Sequence, residues 1–208
     1  MTARLNLFGS LVVLALFVHG CSSSSNHQST SRELLPEPDR LERIHGEKHN
    51  LDNRISAEEL TLEVYAKTEE GLRKVDIRDL NWPEETTAAL NLWRDSTNGL
   101  VCLAESPVSQ SGDWSIGMTH YFDKKGSTFA YERATSFFNS ICTDEVAVET
   151  ISLYYHNGSL IDSTYTLTDT KGGALERDSC QFPYDYPYEV FSDTSKLLRA
   201  VGLKTDRG

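Results

Sequence analysis

Apolar positions along this chain change their period near Leu100, from a spacing suited to helices to the alternation of half-buried strands. The clearest hairpin beyond that point runs from Val146 to Tyr155, turns at Asn157-Gly158 and returns from Leu160 to Thr168. Asn-Gly suits a two-residue turn because both residues tolerate positive φ. Such a loop sets His156 against Ser159, Tyr154 against Ile161 and Val148 against Leu167. Val148, Tyr154, Ile161, Tyr165 and Leu167 then share one face, and Ile151, Leu153, Tyr155 and Leu160 the other. Both faces need cover, from helices, a further layer or a second copy of the chain.

A second hairpin leads from Trp114 to Asp123, through Lys124-Lys125-Gly126, and on to Asn139. Asp-Lys-Lys-Gly fits a type I turn with Gly126 in the left-handed position. If Asp123 faces Ser127, Trp114, Ile116, Met118, His120 and Phe122 line one face beside Ala130 and Ala134. Tyr121, Phe129, Tyr131 and Phe137 line the other. The first part of the chain points to helices instead. Ser56 with Glu59 fits a capping box opening a helix over about 57–68. Asn81-Trp82-Pro83 with Glu84 and Glu85 fits the start of a second, whose Ala89, Leu92 and Trp93 share a face and which Asn98-Gly99 stops. The expected fold is therefore α+β: N-terminal helices packed on an antiparallel β-meander of about five strands that includes Leu100 to Ala104. A short C-terminal helix over about 194–201 completes it.

The chain begins with a short basic segment carrying Arg4, an apolar run from Leu7 to Val18, and then Val18-His19-Gly20-Cys21. At about 12 residues the run falls short of the ~20 that span a bilayer, and it has the form of an export signal. Val18 is large for the third position before an ordinary cleavage site. The segment resembles the lipobox of bacterial lipoproteins, which implies cleavage before Cys21, acylation of that residue and attachment to the cell envelope. Ser22 after the lipidated cysteine implies, by the same resemblance, outer-membrane sorting. Residues 22–31 are Ser, Thr, Asn, Gln and His, with no apolar face to bury, and read as a tether of roughly 17 Å reach. The expected organisation is a signal peptide over 1–20, a lipidated cysteine and flexible polar and charged tether over 21–54, and a single α+β domain over 55–208.

Charge and cysteine content narrow the partners. Without residues 1–20 the chain loses one basic residue, so 19 basic stand against 31 acidic residues and the net charge moves from −11 to −12. Nucleic acid does not fit that charge, and anionic lipid would be held by acyl chains rather than by a basic patch. With Cys21 acylated, Cys102, Cys142 and Cys180 remain in an oxidising compartment. Three pairings are open. Cys102 lies in the apolar run Leu100 to Ala104, where a buried inert thiol is the usual outcome, which favours a Cys142–Cys180 bridge.

Few residues carry chemistry. In the hairpin register above, Glu132 lies opposite Met118 and diagonally beside His120, a pairing that could perform acid–base work. No G-x-S-x-G elbow or S-x-x-K motif supplies a nucleophile. His45 and His49 are four apart, but Gly46 weakens the helix that would align them and the order is not HExxH. Asp52 to Glu59 resembles half of an EF-hand loop, with Lys48 where the first acidic ligand belongs, so no metal is expected. Asn157-Gly158-Ser159 matches a glycosylation sequon that its turn role and bacterial context outweigh. Nothing calls for a cofactor.

Phe182 to Phe191 alternates aromatic and acidic residues between two prolines, which makes it extended and unfit for a central strand. It reads either as a strap over the sheet or as a recognition edge presenting Tyr184, Tyr186 and Tyr188. The leading expectation is a lipid-anchored envelope module that binds or assembles with a protein or glycan. An envelope hydrolase using His120 and Glu132, and a periplasmic carrier of lipid or another ligand, are the alternatives.

Overall fold

A computed structural model describes residues 37–78, 81–182 and 187–203. Cys21, the export signal, the 22–31 tether, Tyr184 and Tyr186 lie outside the described residues. The alternating pattern builds a sheet larger than the sequence led us to expect. Its strands are β1 (Thr61–Thr68), β2 (Gly71–Val75), β3 (Ala88–Arg94), β4 (Leu100–Pro107), β5 (Trp114–Phe122), β6 (Thr128–Phe137), β7 (Ala147–His156) and β8 (Ser159–Asp169). They form one antiparallel eight-stranded sheet in the order β2-β1-β3-β4-β5-β6-β7-β8. Two helices accompany it, α1 (Glu37–Ser56) and α2 (Thr194–Ala200).

The expectation of N-terminal helices on a five-stranded meander is thus overturned, and each error has a local cause. Ser56 does not open a helix; it closes α1, its hydroxyl donating to the Asp52 carbonyl at 2.9 Å. The amides of Glu58 and Glu59 reach back to the carbonyls of Ile55 and Arg54, with Glu58 left-handed at φ 57°. Those two bonds and that φ make a Schellman ending, in which the chain turns off the helix. Leu62, Val64 and Ala66 then alternate as β1, burying Val64 and Ala66. At Pro83 only a turn forms, with the Thr86 amide donating to the Pro83 carbonyl at 3.1 Å. Ala88, Leu90 and Leu92 follow at period two and are buried. Their good helix propensity yields to burial between two strands, as weak local preferences commonly do.

Both faces of the sheet are covered. α2 lays Leu197, Leu198 and Val201 on Leu90, Leu92, Leu100, Leu103 and Phe122. Asp193 caps it, its carboxylate accepting from the Lys196 amide at 2.9 Å. Leu90, Leu92, Leu103 and Leu197 are essentially fully buried, each contributing about 2 kcal/mol. On the other face α1 sets Ile44 and Leu51 on Cys102, Tyr121, Phe129, Ala130 and Tyr154. α1 crosses the strands obliquely: His45 meets Asp162 of β8, Lys48 meets Glu132 of β6, and Asp52 meets Tyr121 of β5.

The two hairpins turn as their sequences indicate and then depart from the expected register. Gly126 has φ 81°, Asn157 φ 49° and Gly158 φ 78°. Asp123 faces Ser127, and His156 pairs with Ser159. Beyond each turn the ladder shifts by one residue, leaving Phe129 extra opposite Tyr121 and Ile161 extra opposite Tyr154. The β3–β4 hairpin does the same at Val101, opposite Trp93. Each is a bulge in which two successive residues face the same side. Val101, Phe129 and Ile161 all join the cluster under α1, so the three extra residues serve one packing face. Past the bulge every side chain changes face relative to the unbulged register. Tyr154 pairs with Asp162 and Val148 with Thr168, rather than with Ile161 and Leu167.

Candidate functional site

The bulge at Phe129 decides the fate of the expected acid–base pair. It sets His120 opposite Tyr131 and Glu132 opposite Thr119. Consecutive residues of a strand point to opposite faces, so His120 lies on the α2 side of the sheet and Glu132 on the α1 side. The sheet stands between them. Glu132 accepts from Lys48 Nζ at 2.8 Å and from the Ser152 hydroxyl at 3.2 Å. His120 is 4% exposed among the rings of Phe122, Tyr131 and Phe191, and its Nε2 accepts from the Phe191 amide at 3.1 Å. Desolvation pulls its pKa down to about 4, so the ring is neutral at physiological pH and its acceptor nitrogen is committed to the backbone.

That bond marks where the segment between Cys180 and Phe191 docks. Cys180 is joined to Cys142 by a disulfide. Phe182 stacks on Phe137 with centroids 4.1 Å apart, and Tyr188 on Tyr131 at 5.4 Å. The Arg133 guanidinium lies 5.2 Å from the Tyr188 ring and that of Arg177 4.5 Å from the Phe182 ring. Thr128 then fixes the chain through a hydroxyl bond to the Phe191 carbonyl at 2.6 Å and an amide bond to the Ser192 carbonyl at 2.9 Å. The described ends of the segment are thus strapped along β5 and β6, and Tyr188 retains 39% exposure.

Beneath the strap lies a cleft of about 310 Å³, bounded by Lys67, Glu105, Met118, His120, Tyr188 and Leu197 among others. Its size is at the small end of ligand pockets. Lys67 and Glu105 form an ion pair at 3.2 Å. The Tyr131 hydroxyl is buried with no hydrogen-bond partner among the described residues, and burial pushes its pKa up. Wider clefts of about 620 and 580 Å³ flank the turn at Lys124 and Lys125 and hold none of the candidate residues.

Two polar clusters escaped the sequence reading. On the α2 side, Arg133 and Glu149 pair at 3.1 Å with side chains 7% and 6% exposed, and the Tyr165 hydroxyl donates to Glu149 at 3.0 Å. A carboxylate in the otherwise apolar alternation Ala147, Glu149, Ile151, Leu153 was the available signal. On the α1 side, Lys48 bridges Glu132 and Asp52, and Asp52 accepts the Tyr121 hydroxyl at 2.8 Å. Burial pulls the Lys48 pKa down, but the hydrogen bonds to Glu132 and Asp52 outweigh it and the net shift is upward, so the ammonium stays charged. Cys102 lies in the same layer, where desolvation pushes its thiol well up and leaves it inert.

His45 and His49 sit on α1 rather than in a linker, and His45 bonds Asp162 at 3.0 Å. Among the described residues no group of three or more His, Cys, Asp or Glu converges on a metal position. Among the same residues no helix is long and apolar enough to cross a membrane. No family model, curated protein or solved structure matches the chain.

Proposed function

We propose that this chain works as a lipid-anchored envelope module that binds or assembles with a protein or glycan through the strap and the strands beneath it. The observation that carries the reading is the docking of Tyr188 across Tyr131 and Arg133. A ring held against its neighbours yet partly open to solvent contributes contact area with little further loss of freedom on binding, as interface aromatics do. Tyr184 and Tyr186 follow Cys180, which is bridged to Cys142, and precede Phe191, which Thr128 bonds. The hydrolase alternative loses support, because His120 and Glu132 are separately engaged on opposite faces. The anchor rests on Cys21 and its resemblance to a lipobox.

Crosslinking in cells, followed by identification of the captured species, tests the binding reading. Replacing Tyr184, Tyr186 and Tyr188 together by Ser should abolish a specific adduct while the chain remains folded by circular dichroism. An undiminished adduct in the triple variant would refute the strap as the contact. A Cys21→Ser variant should leave the membrane fraction; its retention there would remove the anchor from the reading.

A further inference from the structure

Asn-Gly occurs twice in the chain, each time in a hairpin turn with the asparagine in the left-handed region: Asn98 at φ 64° between β3 and β4, and Asn157 at φ 49° between β7 and β8. An asparagine before glycine can lose its side-chain amide, because glycine has no Cβ to obstruct the backbone nitrogen that attacks it. The glycine nitrogen gives up its proton to water and bonds to the asparagine Cγ. The Cγ–Nδ2 bond breaks, and Nδ2 takes up a proton and leaves as ammonia. Water then opens the resulting succinimide to an aspartyl or isoaspartyl residue. In the left-handed region ψ holds the side chain apart from the following nitrogen, so the turn must open before the ring can close.

The two turns resist opening to different degrees. At the first, Asp95 Oδ1 accepts from the Gly99 amide at 3.0 Å, the Thr97 amide at 2.9 Å and the Thr97 hydroxyl at 2.7 Å. The Asp95 amide donates to the Gly99 carbonyl at 3.0 Å, and the Asn98 amide to the Asp95 carbonyl at 2.9 Å. The nitrogen that would attack Asn98 is thus engaged, and the turn is tied around one carboxylate.

Nothing comparable holds the second. Asn157 and Gly158 are exposed, and a Cβ built on Gly158 meets nothing within 4 Å. Among the described residues nothing accepts a hydrogen bond from the Gly158 amide. The pairs His156–Ser159 and Tyr155–Leu160 alone stand between this turn and the bulge at Ile161. Short ends of this kind open at little cost. His156 Nε2 also lies 3.2 Å from Asn157 Nδ2, which sets a side chain suited to proton transfer beside the nitrogen that has to leave.

We propose that Asn157 is a site of self-modification, converting through the succinimide as the chain ages, with His156 as proton donor to the departing ammonia, while Asn98 is preserved by Asp95. The isoaspartyl product carries the main chain through the side-chain carbon. It therefore adds a backbone atom to the turn that sets the β7–β8 register, and a carboxylate beside His156.

Peptide mapping by mass spectrometry of the folded full chain, kept at neutral pH and sampled over weeks, reads both sites in one sample. Asn157 should convert at least about tenfold faster than Asn98, a ratio set by the difference in opening. In urea, where both turns are lost, the two rates should approach each other. Equal rates in the folded chain, or a faster Asn98, would overturn the proposal, and so would a ratio undiminished in urea, which would assign the contrast to local sequence. Asp95→Ala, checked for folding by circular dichroism, should bring Asn98 toward the rate of Asn157. His156→Gln, which keeps a polar group but has no proton to give, should slow Asn157 several-fold with Asn98 unchanged. Unmoved rates in these variants would strike out the roles given to Asp95 and His156.

Discussion

His120 shows how burial without a charged partner makes a residue sensitive to acid. Its ring is desolvated by neighbouring aromatics, and its pKa falls to about 4 against an ordinary value of 6.5. Below pH 6.5 the unfolded chain takes up a proton that the folded chain refuses, so stability drops as pH falls from about 6.5 to 4 and levels off below. The shift corresponds to about 3 kcal/mol. His120→Gln keeps an acceptor for the Phe191 amide and has no such titration. Urea unfolding at pH 7 and at pH 4 should therefore show the unmodified chain losing about 3 kcal/mol more than the variant. Equal losses would mean that the ring is not shielded in the folded state. His120 was legible in the sequence as a residue on an apolar face; its partner was not, because the choice between Glu132 and the Phe191 amide depends on one extra residue, Phe129. Arg133 and Glu149 were missed for a related reason: alternation identifies the buried face only once the register is known.

At the scale of elements, the turns were legible and the first helix was not. Asn157-Gly158 and Asp123 to Gly126 dictate their local geometry through residues that tolerate positive φ, and no distant contact is needed. α1 is polar, with Ile44, Leu51 and Ile55 as its principal contribution to the core under it, and it also docks through Lys48, which meets Glu132 of β6. A composition suited to a tether thus conceals a helix whose polar residues find partners on the sheet. The sequences of β1 and β3 read as helix because Ala, Leu and Glu favour helices, a preference that only the burial of alternate positions between strand neighbours overrides. Gly46 offers a direct measure of how firmly α1 is set. It lies inside the helix, and a Cβ built there meets nothing within 4 Å. Gly46→Ala should raise stability by about 0.5–1 kcal/mol in chemical denaturation; no gain would mean that this turn of the helix is not formed in solution.

Over the whole molecule, the sheet and the strap form a single unit because Cys142, after β6, is bonded to Cys180, 38 residues later. A loop of that length implies a stabilisation of about 4 kcal/mol through restriction of the unfolded chain. Reduction, or a Cys142→Ser/Cys180→Ser double variant, should lower unfolding stability by up to that amount. A change under about 1 kcal/mol would mean that the aromatic stacking of Phe182 and Tyr188 holds the strap without it. The three bulges carry a different consequence, for chain length. Phe129 has no strand partner, and the residues flanking it pair with adjacent residues of β5. Deleting it would leave every other β5–β6 pairing unbroken; deleting its neighbour Ala130 would leave Phe129 to take the place opposite Tyr121. The same holds at Val101 and Ile161. A lineage of this protein could therefore gain or lose one residue just after these three turns without reversing the faces of the strands that follow, and length variation among its descendants should concentrate there.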